Sequence, residues 1–110
     1  MQIDFETLRR LLKSTNIPVY RDEAPTDEDY PYIIYQFVNE QYKRASNKVM
    51  NELPLYQIAF ITEGTESELR PLKAVLKNND VLFETFVKGP YSLENDDRVT
   101  QYVTFVRCVE

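Results

Sequence analysis

A chain of 110 residues with 43% hydrophobic and 13% aromatic side chains has the size and material for one self-sufficient core and leaves no room for a second. Charged residues make up 28% of it, close to an ordinary globular protein, which excludes wholesale disorder. The formal net charge of −5 disfavours nonspecific association with a phosphate backbone, because that affinity comes from Lys and Arg displacing counterions.

The chain opens on Met1-Gln2-Ile3-Asp4, without the basic and apolar regions of a signal peptide, so export is not expected. Phe5, Leu8, Leu11 and Leu12 fall at helical spacing behind Asp4, a natural amino-terminal cap, and predict a helix over 4–14. Pro18 pushes the residue before it toward extended geometry, and Pro18–Tyr20 reads as a short edge strand. Residues 21–31 read as an acidic loop, in which Asp22, Glu23, Asp27, Glu28 and Asp29 stand against Arg21 alone and Pro25 and Pro31 stiffen the backbone.

The β-branched and aromatic run from Tyr32 predicts a strand to Tyr42, followed by a polar arm over 43–52 and a second strand over 55–61, together a long-tipped hairpin. Thr65 and Glu68 have capping-box spacing, and Leu69, Leu72, Val75 and Leu76 share one face of a helix over 66–78. Pro71 conflicts with a start at Thr65, since it lacks an N–H to donate beyond the first turn, so a later start or a bend is expected. Val81–Lys88 reads as a strand, Gly89-Pro90 as a turn and Val99–Val109 as a final long strand. The expected fold is a single α+β domain over 1–110, in the order α-β-β-β-α-β-β, with two helices packed on a mixed or antiparallel sheet.

Several strands are apolar on both faces: Tyr32, Ile34 and Val38 oppose Ile33, Tyr35 and Phe37, and Val103 and Phe105 oppose Tyr102, Thr104 and Val106. If both helices pack on one side, the other side keeps more apolar area than a monomer normally shows to water, which predicts self-association. No apolar run approaches the roughly 20 residues needed to cross a bilayer, so membrane insertion is not expected either.

The residues offer little for catalysis. Histidine is absent, which removes the commonest general base and zinc ligand, and the only two glycines, Gly64 and Gly89, cannot write a phosphate-binding loop or a dinucleotide fingerprint. The one cysteine, Cys108, has no histidine to form a thiolate pair with, cannot make an internal disulfide, and reads as a small buried hydrophobe in a chain suited to a reducing cytoplasm. The acidic loop supplies hard-cation ligand types, but not the alternating positions and central glycine of a calcium loop, so its default reading is a solvated loop. No enzyme activity, cofactor or metal is expected. Candidate contact residues are Tyr42, Lys43, Arg44 and Lys48 in the arm and Asp27, Glu28 and Asp29 in the loop, since a basic arm on an acidic subunit can dock on a neighbour's acidic loop. Eight tyrosines add side chains equally suited to half-buried strands and to interfaces.

An amino-terminal helix, then Ile17-Pro18-Val19-Tyr20, an acidic stretch containing Pro25, and Tyr30-Pro31-Tyr32-Ile33-Ile34-Tyr35 entering a long strand resemble the tail terminator and head-to-tail joining (tail completion) proteins of long-tailed bacteriophages. The layout resembles that family along nearly the whole chain, and the local match covers about residues 17–35. The resemblance implies a structural virion protein, made in the host cytoplasm. It would form a ring, commonly a hexamer, that ends the tail tube, contacts the tail tube protein and the head connector or stopper, and lets DNA pass through its channel. An acidic balance suits such a channel, because a wall of like charge lets DNA slide. Another neck or connector subunit, or a monomeric protein-binding module that captures a peptide on a sheet edge, are the competing readings.

Overall fold

The computed structural model describes residues 3–45, 48–88, 92–94 and 97–108, with side chains described for 3–39, 53–88 and 99–108. Its elements in chain order are α1 (Phe5–Lys13), β1 (Val19–Arg21), β2 (Tyr32–Ala45), β3 (Lys48–Thr62), a 3-10 turn (Glu66–Leu69), α2 (Arg70–Asn78), β4 (Val87–Lys88), β5 (Ser92–Glu94) and β6 (Asp97–Arg107). The domain is α+β, with two helices on a mixed sheet of strand order β1-β2-β3-β6-β4. β1 is parallel to β2, β2/β3, β3/β6 and β4/β6 are antiparallel, and β5 forms a short antiparallel pair with the start of β6.

Local chemistry sets the helix ends. The Asp4 carboxylate accepts the Thr7 N–H at 2.8 Å, and these hydrogen bonds hold its carboxyl below the usual carboxylate value. α2 closes on a paired turn in which Val81 N–H donates to Leu76 C=O (3.0 Å) and Asp80 N–H to Lys77 C=O (3.1 Å). Asp80 takes the left-handed position (φ 55°) more often held by glycine, and buried Val81 seals the turn. The expected capping box does not form. Thr65 makes no side-chain cap, its hydroxyl meets that of Ser67 at 2.8 Å, and Glu68 reaches back to the Thr62 hydroxyl instead. The conflict posed by Pro71 resolves as a 3-10 turn followed by an α-helix starting at Arg70, which puts the proline in the first turn, where its missing N–H costs nothing.

Register sorts the sheet into two faces. Ile33 pairs with Phe60 and Tyr35 with Ile58, while Ile58 pairs with Thr104 and Tyr56 with Val106, so these side chains share one face. Both helices pack there: Leu8 and Leu12 of α1 and Leu72 and Leu76 of α2 join Ile33, Tyr35, Tyr56, Ile58, Phe60 and Val106 in one buried cluster. Phe5 locks α1 in place by stacking on Tyr56 (4.5 Å between centroids, 22°) and tilting against Tyr35 (5.6 Å), with Arg21 over its outer side at 5.7 Å. Each fully buried aliphatic or aromatic side chain in this layer contributes about 1.5–3 kcal/mol of burial.

Two boundaries differ from expectation. The strand expected over 81–88 is a ladder only at Val87–Lys88, yet the segment before it stays against β6, where Glu84 N–H donates to Phe105 C=O (3.1 Å) and Glu84 C=O accepts the Thr104 hydroxyl. The polar residues over 43–52, expected to interrupt the hairpin, are largely strand, with pairing from Asn39↔Leu55 to Ala45↔Lys48. A β ladder is built from backbone hydrogen bonds, so polar side chains do not by themselves end it. β5 was not expected, and the turn expected at Gly89-Pro90 and the end of the last strand at Val109 lie outside the described residues.

Candidate assembly interface

The second face of the sheet carries apolar side chains from its strands. Tyr20 pairs with Ile34, Ala59 with Val103, and Val87 with Val103, placing these residues opposite the helices together with Tyr32, Ile61 and Val99. Ala59, Ile61 and Val99 form a separate buried cluster, flanked by half-buried Tyr30, Tyr32, Ile34 and Val103. Both described helices belong to the other face, yet Ala59, Ile61 and Val99 are buried here as well. Val87, at the β4 edge, is 62% exposed. An apolar, aromatic-rich sheet face over which no described helix packs is the kind of surface that can serve a protein–protein contact.

The acidic loop folds along the margin of this face. The Tyr20 hydroxyl donates to the Glu28 carboxylate, and the Tyr30 ring stacks on Tyr32 at 5.5 Å and 18°, while Tyr20 meets Tyr32 edge-on at 6.4 Å. The Tyr30–Pro31 peptide is cis. Glu28 is thereby half-buried, and Asp22, Glu23, Asp27 and Asp29 are exposed. Of the loop residues singled out in the sequence, Glu28 is anchored to the open face and Asp27 and Asp29 flank it. Among the described residues no group of three or more His, Cys, Asp or Glu is arranged to hold a metal ion.

The arm leaves the opposite end of the sheet. β1 pairs no further along β2 than Tyr35, and β6 no further along β3 than Leu55, so beyond the Asn39–Leu55 pair the hairpin is a two-stranded ribbon. Its root is clamped: Arg107 donates to Leu53 C=O (2.8 Å) and to the Asn39 side-chain oxygen (3.1 Å), and Cys108 N–H donates to Pro54 C=O (2.8 Å). Tyr42, Lys43 and Arg44 lie on β2 and Lys48 on β3, with Tyr42 opposite Glu52 and Lys43 opposite Asn51; their side chains lie outside the described residues. The arm accounts for the elongation of the molecule, 56 × 25 × 22 Å. A two-stranded ribbon alone is marginal in water and gains from a surface to lie on.

Cys108 sits fully buried just beyond β6, and burial, helped by the charge of Asp4, pushes its thiol up to about 12. Such a thiol is a poor nucleophile at neutral pH. No helix among the described residues is long and apolar enough to cross a membrane. No protein-family model matches the chain, and no curated protein matches it.

Proposed function

We propose that this chain is a structural subunit that assembles with copies of itself into a ring, commonly of six, at the head-proximal end of a long bacteriophage tail. There it would end the tail tube, meet the tail tube protein on one side and the head connector or stopper on the other, and let DNA pass. It performs no catalysis and takes no cofactor in this reading. The observation that supports self-assembly is the apolar sheet face opposite both helices, where half-buried Tyr32, Ile34 and Val103 surround buried Ala59, Ile61 and Val99. The placement in a phage neck is supported by the resemblance of residues 17–35 to tail terminators and by the order of elements. Peptide capture on a sheet edge is the competing reading; it would use the edges of β2 beyond Tyr35 and of β3 before Leu55, which β1 and β6 leave unpaired.

Size-exclusion chromatography with light scattering, followed by negative-stain imaging, tests this reading directly. A closed ring, alone or on addition of tail tube subunits, is the expected result. A monodisperse monomer at every concentration under both conditions would refute it.

A further inference from the structure

The net charge hides a segregation of charge by layer. The two α-helices, 18 residues in all, hold six of the chain's 13 basic residues (Arg9, Arg10, Lys13, Arg70, Lys73 and Lys77) and a single acid, Glu6, while the 3-10 turn that leads into α2 adds Glu66 and Glu68. The other 92 residues carry seven basic residues against 17 acidic ones.

On α2 the basic residues form a stripe. Arg70, Lys73 and Lys77 recur at spacings of three and four, on one side of a helix, over about 10 Å. They line a shallow depression of about 600 Å³ together with exposed Ala74, Ser67, Asn78 and one acid, Glu66, at its amino-terminal end, so three cations face one carboxylate. Arg70 and Lys77 are exposed, and Lys73 is steered by its position 6.0 Å over the Phe86 ring. Among the described residues none of the three has an ion-pair partner. The same holds for Asp27 and Asp29, at the crest of the densest run of acidic residues in the chain.

The two unpaired patches cannot meet within one molecule. α2 packs on the face of Ile33 and Phe60, whereas the acidic loop is tied by Tyr20 and Tyr30 to the opposite face, and the sheet lies between them. A second copy removes the obstacle.

We infer that the α2 stripe of Arg70, Lys73 and Lys77 is a docking surface for the acidic loop of a second copy of this chain, around Asp27 and Asp29. This rests on the self-assembly reading and specifies its contact. Because the two patches lie on opposite faces, the contact is head-to-tail: each copy donates its loop to one neighbour and its helix to the other. Such a contact repeats until it closes as a ring or runs on as a filament, and cannot stop at a symmetric dimer. The open apolar face, which the loop borders, is carried toward the helical layer of the next copy by the same contact.

Two reversed-charge variants of the full chain test this. One is Arg70→Glu with Lys77→Glu, the other Asp27→Lys with Asp29→Lys; all four positions are exposed, so both are expected to keep the wild-type circular dichroism and melting temperature. By light scattering and sedimentation, each variant alone should lose self-association by at least tenfold, since like charges then face each other. An equimolar mixture should regain it, because each altered patch then meets its complement in alternation. Wild-type assembly should also weaken between about 0.1 and 1 M salt, as the screening length falls from about 10 to 3 Å. Wild-type-like assembly of either variant alone, or failure of the mixture to assemble, overturns this contact while leaving the ring reading in place. A wild-type protein that never assembles overturns both.

Discussion

Adjacent residues on opposite faces of β2 give the sharpest test of the open face. Ile33 is fully buried beneath the helices, whereas its neighbour Ile34 is half-buried on the other side. Truncation of either isoleucine to alanine removes three methylene-sized groups. Under the helices that loses about 2.4 kcal/mol of transfer free energy at about 0.8 kcal/mol per group, and the cavity left behind raises Ile33→Ala to about 3–4 kcal/mol. An unfolding entropy of about 2.1 cal/mol/K per residue corresponds to about 0.23 kcal/mol/K for the chain, so Ile33→Ala should lower Tm by about 13–17 °C. Ile34→Ala leaves no enclosed cavity and should cost about 1 kcal/mol or less, about 4 °C. Melting curves recorded by circular dichroism at concentrations where the protein is monomeric make the comparison. Light scattering at higher concentration should then show the reverse ranking, with Ile34→Ala weakening association and Ile33→Ala, while folded, leaving it intact. Equal losses of Tm for the two variants would refute the reasoning, because they would mean that Ile34 is covered within the single chain.

Three individual residues give four further outcomes. With its thiol pushed up to about 12, Cys108 should be about 10⁻⁴ ionised at pH 8 and react with an aromatic disulfide reagent only as fast as the protein unfolds; rapid labelling of the native protein would show that the site is open. The raised value also has a pH consequence: its contribution to stability is intact below the free-thiol value of 9.0 and should be lost as pH rises from there toward about 12, which melting curves across that range would detect. Asp4→Ala should lower Tm at pH 7 by removing the α1 cap. Because the Asp4 carboxyl is held below its ordinary value, the gap between variant and wild type should close as pH falls below about 3.9; a gap independent of pH would rule out the capping interaction. Thr62→Val should cost about 1–3 kcal/mol in chemical denaturation, since the Thr62 hydroxyl accepts the Gly64 N–H at 2.9 Å and donates to Glu68 in an otherwise buried position.

The fold class and element order were legible in the sequence because periodicity survives without tertiary information: Leu8 and Leu12, and Leu72 and Leu76, are spaced for one helical face and are buried on it. The two-sided apolar character of β2 and β6 was equally visible, and register turns it into one covered and one open face. What failed was inference from composition at the hairpin. Polar residues from Lys43 to Asn51 read as an interruption, but a ribbon outside the core is held by its backbone ladder and by the clamp of Arg107 on Leu53 and Asn39, a contact 54 and 68 residues away in sequence. β4 was overestimated for the converse reason: β propensity over 81–86 is satisfied by an extended segment held by single hydrogen bonds rather than a full ladder. The α2 stripe does not stand out in the linear sequence because its cations are separated there, and only the helical spacing of 70, 73 and 77 gathers them.

The open face is a consequence of lengths as much as of residue types. β2, β3 and β6 take 14, 15 and 11 residues, far above the mean strand of about 5–6, while each helix has nine. A nine-residue helix is about 13.5 Å long and about 10 Å wide, so the pair covers a patch of about 13.5 by 20 Å, whereas a 14-residue strand runs about 46 Å. Even on the helical side the cover ends near Phe37, which is 46% exposed where the arm begins. Placing one helix on each face would have left both half-covered and split Phe60, Ile58 and Ile33 from the leucines that now bury them. Packing both on one side completes a single core at the expense of the other side. Among the described residues no helix lies over the other side, where Ala59, Ile61 and Val99 are buried and Tyr32, Ile34 and Val103 half-buried, so the apolar area left for another molecule is that of the half-buried rim and of exposed Val87.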